Sequence, residues 1–179
     1  SAVVSGGTWV YSGGFEGDIQ GTGNTFSLIQ SAATGGTLAV SGNMKLRGLG
    51  VTACTLLRVT GAGATVNVTS TIELRGFVFL GASTMIDAQV VATATWTGAI
   101  TLMECQFVGA VIVFNATPVG AVAQAPVSIT CYNCVLESTF TMMTGAGTNN
   151  LAAATWVFRD CYFVNLVTIT DGTRFTALR

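Results

Sequence analysis

Residues 128–138 read SITCYNCVLES. A C-x-x-C spacing raises the question of a redox dithiol or half of a metal site. The answer turns on whether Cys131 and Cys134 stand alone or belong to a pattern that recurs along the chain. With Cys131 as anchor, equivalents fall at Ile19 in DIQGTGN, Leu46 in KLRGLGV, Leu74 in ELRGFVF, Leu102 in TLMECQF and Phe158 in VFRDCYF. The successive intervals are 27, 28, 28, 29 and 27 residues. A period of that size is the mark of a repeat architecture in which each unit buries its apolar face on the next.

The columns of the repeat carry physical content. Two residues before the anchor stand Met44, Ile72, Ile100, Ile129 and Trp156; five after it stand Val51, Phe79, Phe107, Leu136 and Phe163. Three after it come Leu49, Phe77, Cys105, Cys134 and Cys161, and eleven after it Leu57, Met85, Val113, Met142 and Ile169. All four columns are expected to point inward. Upstream, Leu38 and Val40, Val66 and Val68, then Ala94 and Trp96 alternate with small or polar residues, the period of a half-buried strand. About three short strands per repeat are expected.

Two residues past the anchor lie Gly21, Gly48, Gly76, Glu104, Asn133 and Asp160. Gly and Asn tolerate the left-handed backbone of a tight bend, and Asp does so less readily, so this column predicts a corner. A second corner is expected at Asp87, Asn115 and Asp171, each followed by Ala or Gly. Strands that turn corners without reversing stack each repeat on the last as a parallel solenoid. The segments ITCYNCVL and WVFRDCYF fit the apolar-x-apolar-x-Asn-Cys-x-Phe coil, and the chain resembles the right-handed parallel β-helices of the pectate-lyase-like superfamily over residues 17–172. The resemblance implies an all-β fold: one domain over residues 1–179, of about six coils, with residues 1–16 as a cap or entry strand and 173–179 as the C-terminal end. It specifies fold more than function, since that superfamily includes polysaccharide lyases and hydrolases, viral and phage tail spikes, and adhesins.

Composition agrees with a strand-rich chain. Of 179 residues 50% are hydrophobic and 8% charged, with 22 glycines and many Thr, Ala and Val. The net charge is -1 and the seven basic residues are scattered, which leaves no electrostatic footprint for nucleic acid. The mean hydropathy of +0.63 calls either for a membrane or for a surface covered by other chains. Residues 105–136 carry no charge, but Asn115, Pro118, Gln124 and Pro126 interrupt them, so membrane insertion is not expected. No signal-peptide pattern is found. The start at Ser1 and the abrupt RFTALR end fit a processed or excised piece of a longer chain.

Within the repeat, Cys134 shares a column with Cys105 and Cys161, and Cys131 sits in the anchor column. Stacked interior thiols behave as small hydrophobes. Five cysteines with Cys54 outside both columns exclude a complete disulfide framework, and no His completes a mixed zinc site. A metal or cofactor site is therefore not expected. At one strand spacing, about 4.8 Å, an occasional disulfide between stacked cysteines is allowed on distance.

Without His, catalysis would rest on carboxylates, Arg or Lys. The strongest catalytic constellation is Glu104 with Asp160, at one corner two coils apart and hence about 9–10 Å along the stack, with Arg159 adjacent. That is near the upper end of the spacing inverting glycosidases use. The bland alternative is a pair of solvated corner residues. A lyase of the resembled superfamily implies a Ca²⁺-binding acidic cluster with a catalytic Arg or Lys. Here Asp18, Lys45 and Glu73, with Gln20, Arg47 and Arg75 beside them, interleave the signs as a charge ladder instead.

Those outward columns turn apolar at Met103, Tyr132 and Val157, which makes them candidate subunit contacts. Trp96, Tyr132 and Arg159 are candidates for presentation to a glycan or a neighbouring subunit. Thr37, Thr65 and Thr93, with Thr95 and Thr97, are similar to the flat Thr face of ice-binding solenoids, but Val122, Gln124 and Pro126 interrupt it. Asn67-Val68-Thr69 and Asn115-Ala116-Thr117 are glycosylation sequons. The leading expectation is a non-enzymatic structural or attachment protein, a viral spike, fibre or coat component at a virion surface or outside the cell. Its partners would be copies of itself as a homotrimer, other coat proteins, or a host glycan. A polysaccharide-cleaving enzyme and a cell-surface adhesin are the alternatives.

Overall fold

A computed structural model describes residues 8–19, 25–31, 35, 37–48, 50–59, 62, 65–88, 93–116, 122–124, 128–144, 148–150, 155–164, 169–170 and 175–178. Among them every regular element is a β-strand, and the strands form four sheets with parallel pairing throughout. From Thr37 to Thr170 the chain visits the four sheets in the same order on each of five passes. Thr65–Val68 lies in the first sheet, Ile72–Arg75 in the second, Val78–Phe79 in the third and Ser83–Ala88 in the fourth; Thr93–Trp96 then returns to the first beside Thr65–Val68. The second sheet holds seven strands, the third five, and the first and fourth six each. Among the described residues no helix is long and apolar enough to cross a membrane.

Alternation builds the strands. Ala99–Met103 and Ser128–Tyr132 bury every second residue, and so does Met44–Gly48. Register then stacks like on like: Met44 on Ile72, Ile72 on Ile100, Ile100 on Ile129 and Ile129 on Trp156, all buried. The third-sheet column runs Val51, Phe79, Phe107, Leu136 and Phe163. Its rings continue into an aromatic spine, with Phe79 parallel to Phe107 at 5.0 Å, Phe107 edge-on to Phe140 at 5.3 Å, and Phe140 edge-on to Trp156 at 5.0 Å. Each such side chain contributes roughly 1.5–3 kcal/mol by leaving water, and ring pairs in these geometries add about 0.5–1.5 kcal/mol. Two polar atoms inside, Trp156 Nε1 and Ser70 Oγ, have no hydrogen-bond partner among the described residues.

The bend after the second sheet is left-handed on four passes, as the repeat predicts, whereas Gly48 of the same column ends the strand Met44–Gly48 without a positive φ. Gly76, Glu104, Asn133 and Asp160 have φ of 72°, 55°, 50° and 51°. This corner residue interrupts the ladder, which makes the third sheet a separate layer of two-residue strands and gives four strands per pass where about three were expected. At the next corner the backbone of one pass lies directly on that of another: a Cβ on Gly109 would collide with the Gly81 backbone.

The register corrects four details. Leu46 faces Gly17, not Ile19, because the first pass has no apolar side chain at the anchor. The outward charged columns are therefore Glu16, Lys45, Glu73 and Asp18, Arg47, Arg75. Leu57 pairs with Ile86, not Met85, and Ile169 with Phe140, not Met142, so the column eleven past the anchor holds only through its middle passes. Asp87 and Asn115 form no corner. They pair inside Ser83–Ala88 and Val111–Ala116, where Asn115 donates to Asp87 at 3.3 Å and Arg58 meets Asp87 at 3.7 Å. Gly21, Leu49, Pro118, Pro126 and Asp171 lie outside the described residues. At the two ends, Thr8–Tyr11 pairs with Thr37–Val40, and Phe175–Leu178 with Thr155–Arg159.

Candidate functional site

The outer face of the second sheet and the left-handed corner beside it carry most of the residues singled out from sequence. Strand register places Arg75, Met103, Tyr132 and Arg159 in one outward column. Val157 stands in the neighbouring column opposite Thr130. Met103, Tyr132 and Val157 are each half-buried, so they do not form a naked apolar patch. The Arg159 guanidinium carbon lies 5.5 Å from the Tyr132 ring centroid, a cation–π contact that covers part of the ring. Trp96 occupies the column of Val40 and Val68, which are buried; its own side chain lies outside the described residues.

The corner presents Glu104, Asn133 and Asp160 on successive passes, all exposed. Backbone bonds fix it: Glu104 N–H donates to Tyr132 C=O at 2.8 Å, and Asn133 N–H to Arg159 C=O at 3.0 Å. Glu104 and Asp160 are thus two strand spacings apart, about 9–10 Å. Glu104 does not face Asp160 chemically, however. Arg75 grips its carboxylate with a two-point fork, Nε to Oε2 at 3.0 Å and Nη2 to Oε1 at 2.9 Å. Those hydrogen bonds, and the guanidinium charge behind them, hold the Glu104 carboxyl below the usual carboxylate range. A glycosidase general acid needs the opposite shift. Glu104 is built as a pinned carboxylate that neutralises Arg75 and braces a strained corner.

The third sheet offers a different surface. Its outward positions Val78, Gln106, Val135 and Tyr162 stack in register. The residue one step past Phe79, Phe107, Leu136 and Phe163 adds Leu80, Val108, Glu137 and Val164; Phe163 itself, expected to point inward, is 36% exposed on the last described strand of this sheet. Leu80 is 49% exposed, Val108 39%, Val164 44% and Tyr162 66%. A hydrogen bond from Gln106 Nε2 to Glu137 crosses the strip. These residues stand four and six past the anchor, so strand parity around the inward column marks them as outward. The signal was present in the sequence and was missed because two-residue strands show no periodicity of their own.

Elsewhere, a shallow depression on the second sheet is lined by Gly14, Glu16, Asn43 and Lys45, with Arg47 meeting Glu16 at 3.7 Å beside it. On the first sheet Thr95 donates to Asn67 at 2.6 Å, which ties the first sequon's asparagine into the polar ladder of that face. Cys105, Cys131, Cys134 and Cys161 all carry free thiols, the first three buried. Among the described residues no group of three or more His, Cys, Asp or Glu is placed to hold a metal ion. Comparison with family models, curated proteins and solved structures finds no match to this chain.

Proposed function

We propose that the chain is a right-handed parallel β-helix and acts as a non-enzymatic structural and attachment protein, of the kind that forms the spikes, fibres or coats of viruses. Four parallel sheets visited in constant order, with each strand paired to its counterpart on the next pass, support the solenoid. The apolar strip formed by exposed Leu80, Val108, Tyr162 and Val164 with half-buried Val78 and Val135 carries the assembly part of the proposal. It runs along the stack, as a lateral contact between rigid rods requires. Charge is nearly absent from it, which matches the depletion of charged residues at interface centres. In this account copies of the chain pack side by side, as a homotrimer or within a larger coat, on a virion surface or outside the cell. The second-sheet face, with Arg159 over Tyr132 and the polar corner of Asn133 and Asp160, stays open to a host glycan. Pinning of Glu104 by Arg75 speaks for binding over hydrolysis.

Light scattering across a size-exclusion peak at several concentrations tests the proposal. The expected result is a defined assembly, a trimer or larger, whose mass holds on dilution. A monomer at every concentration overturns it.

A further inference from the structure

Four thiols converge at one place in the stack. Tyr132 pairs with Arg159 and Val135 with Tyr162, which puts Cys134 and Cys161 at the same position on successive passes. Met103 with Tyr132 and Gln106 with Val135 place Cys105 one pass earlier. Adjacent parallel strands lie about 4.8 Å apart, inside the Cα window of roughly 4.4–6.8 Å that a disulfide spans. The three side chains share one orientation: each Sγ donates to the carbonyl two residues before it, on Met103, Tyr132 and Arg159, at 3.3 Å in every case. Their sulfurs are therefore stacked. Cys134 stands between Cys105 and Cys161 in this column, and Cys161 Sγ also donates to the Cys131 carbonyl at 3.5 Å.

Access separates the four. Cys105, Cys131 and Cys134 are buried, whereas Cys161, on the last described third-sheet pass, is partly open to solvent. A reagent from outside meets Cys161 first, and the buried thiol in register with it is Cys134. We propose that Cys134 and Cys161 are an oxidisable pair that closes into a disulfide and staples the final pass to the one before it. The oxidant is a small-molecule disulfide such as oxidised glutathione. Cys161, as thiolate, attacks one of its sulfurs, forming a mixed disulfide and releasing one small thiol. Cys134 then loses its proton and attacks the Cys161 sulfur, releasing the second. Two electrons pass from the protein pair to the reagent, and the two protons end on the released thiols. The hydrogen bond to Cys134, with burial behind it, pushes the Cys161 thiol above its ordinary range. The first step is accordingly slow at neutral pH and quickens as pH rises, since the thiolate is the nucleophile.

Tryptic mapping of the unmodified chain, oxidised and then alkylated in denaturant, tests this directly. Cleavage after Arg75, Arg159 and Arg174 leaves Cys161 alone on residues 160–174 and Cys105, Cys131 and Cys134 together on 76–159. The expected product joins those two peptides, with fragmentation assigning the bond to Cys134. It persists in Cys105→Ala and is absent from Cys161→Ala. Because the bond closes a segment of 27 residues, the unfolding midpoint rises by about 5–10 °C on oxidation and returns with reductant. Full alkylation of every cysteine, a mixed disulfide left unresolved on Cys161, a bond internal to 76–159, or a bond to Cys54 would each overturn the proposal.

Discussion

The second and third sheets are built from the same repeat and share the same buried core, yet their outer faces have opposite chemistry. On the second sheet several charges have a partner within the chain. Glu16 meets Arg47, Glu104 is gripped by Arg75, and Arg159 lies over Tyr132. The third sheet and its following corner leave valines, a leucine and a tyrosine in water, with one Gln106–Glu137 bond among them. In a stack, then, a low total charge need not mean an evenly apolar surface. Most of the charges among the described residues lie on one face, where two ion pairs form, and the face with fewer of them is where another chain gains most by docking.

Replacements in the common core set the scale for this contrast. Phe107→Ala, inward between Gln106 and Val108, is expected to cost about 3–5 kcal/mol in denaturant unfolding, because Phe79 and Phe140 lose a ring partner together. An outward replacement on either face that rivals this loss would mean that the faces are not separable from the core.

At the corner between the two faces, Asn133 holds φ of 50°. Asn133→Val is expected to cost about 1–2 kcal/mol, since a branched side chain resists the left-handed backbone, while Asn133→Gly should fall close to the parent. Equal losses from both would show that the Asn133 side chain, and not the backbone conformation, sustains the corner.

The smallest effect belongs to the second-sheet ion pair. Glu104 has a depressed carboxyl, so its contribution is complete above the unfolded-state pKa and disappears as pH falls through the lower folded value. Both partners are solvent-exposed, and exposed pairs are weak. Wild type is expected to exceed Glu104→Gln slightly at neutral pH and to converge with it in acid. A gap that widens in acid would reverse the sign and contradict the fork.

The middle passes were the most legible part of the sequence. There the inward columns carry residues that only a core explains, such as Ile72, Ile100 and Ile129, or Phe79 and Phe107. Legibility failed where chemistry and register part company. Gly17 takes an anchor position without any apolar side chain, so the neighbouring Ile19 captured the alignment. Asp87 and Asn115 look like turn residues but stack as a hydrogen-bonded pair inside strands. Glu104 was visible as a corner residue, although its attachment to Arg75 was not, since 29 residues separate them and only the register brings them together. The third-sheet strip was hidden for a related reason. Its strands are two residues long, and the apolar face emerges from reading several passes side by side.

Self-association through the third sheet is the central claim, and paired variants test it most directly. Leu80→Glu with Val108→Glu, and separately Met103→Lys with Tyr132→Lys, can be compared with the parent by sedimentation velocity. The account predicts that the first pair reduces the assembly to monomer without changing the strand signal in circular dichroism, and that the second leaves the mass unchanged. An assembly that survives the first pair and falls apart with the second would contradict it and make the second sheet the contact face.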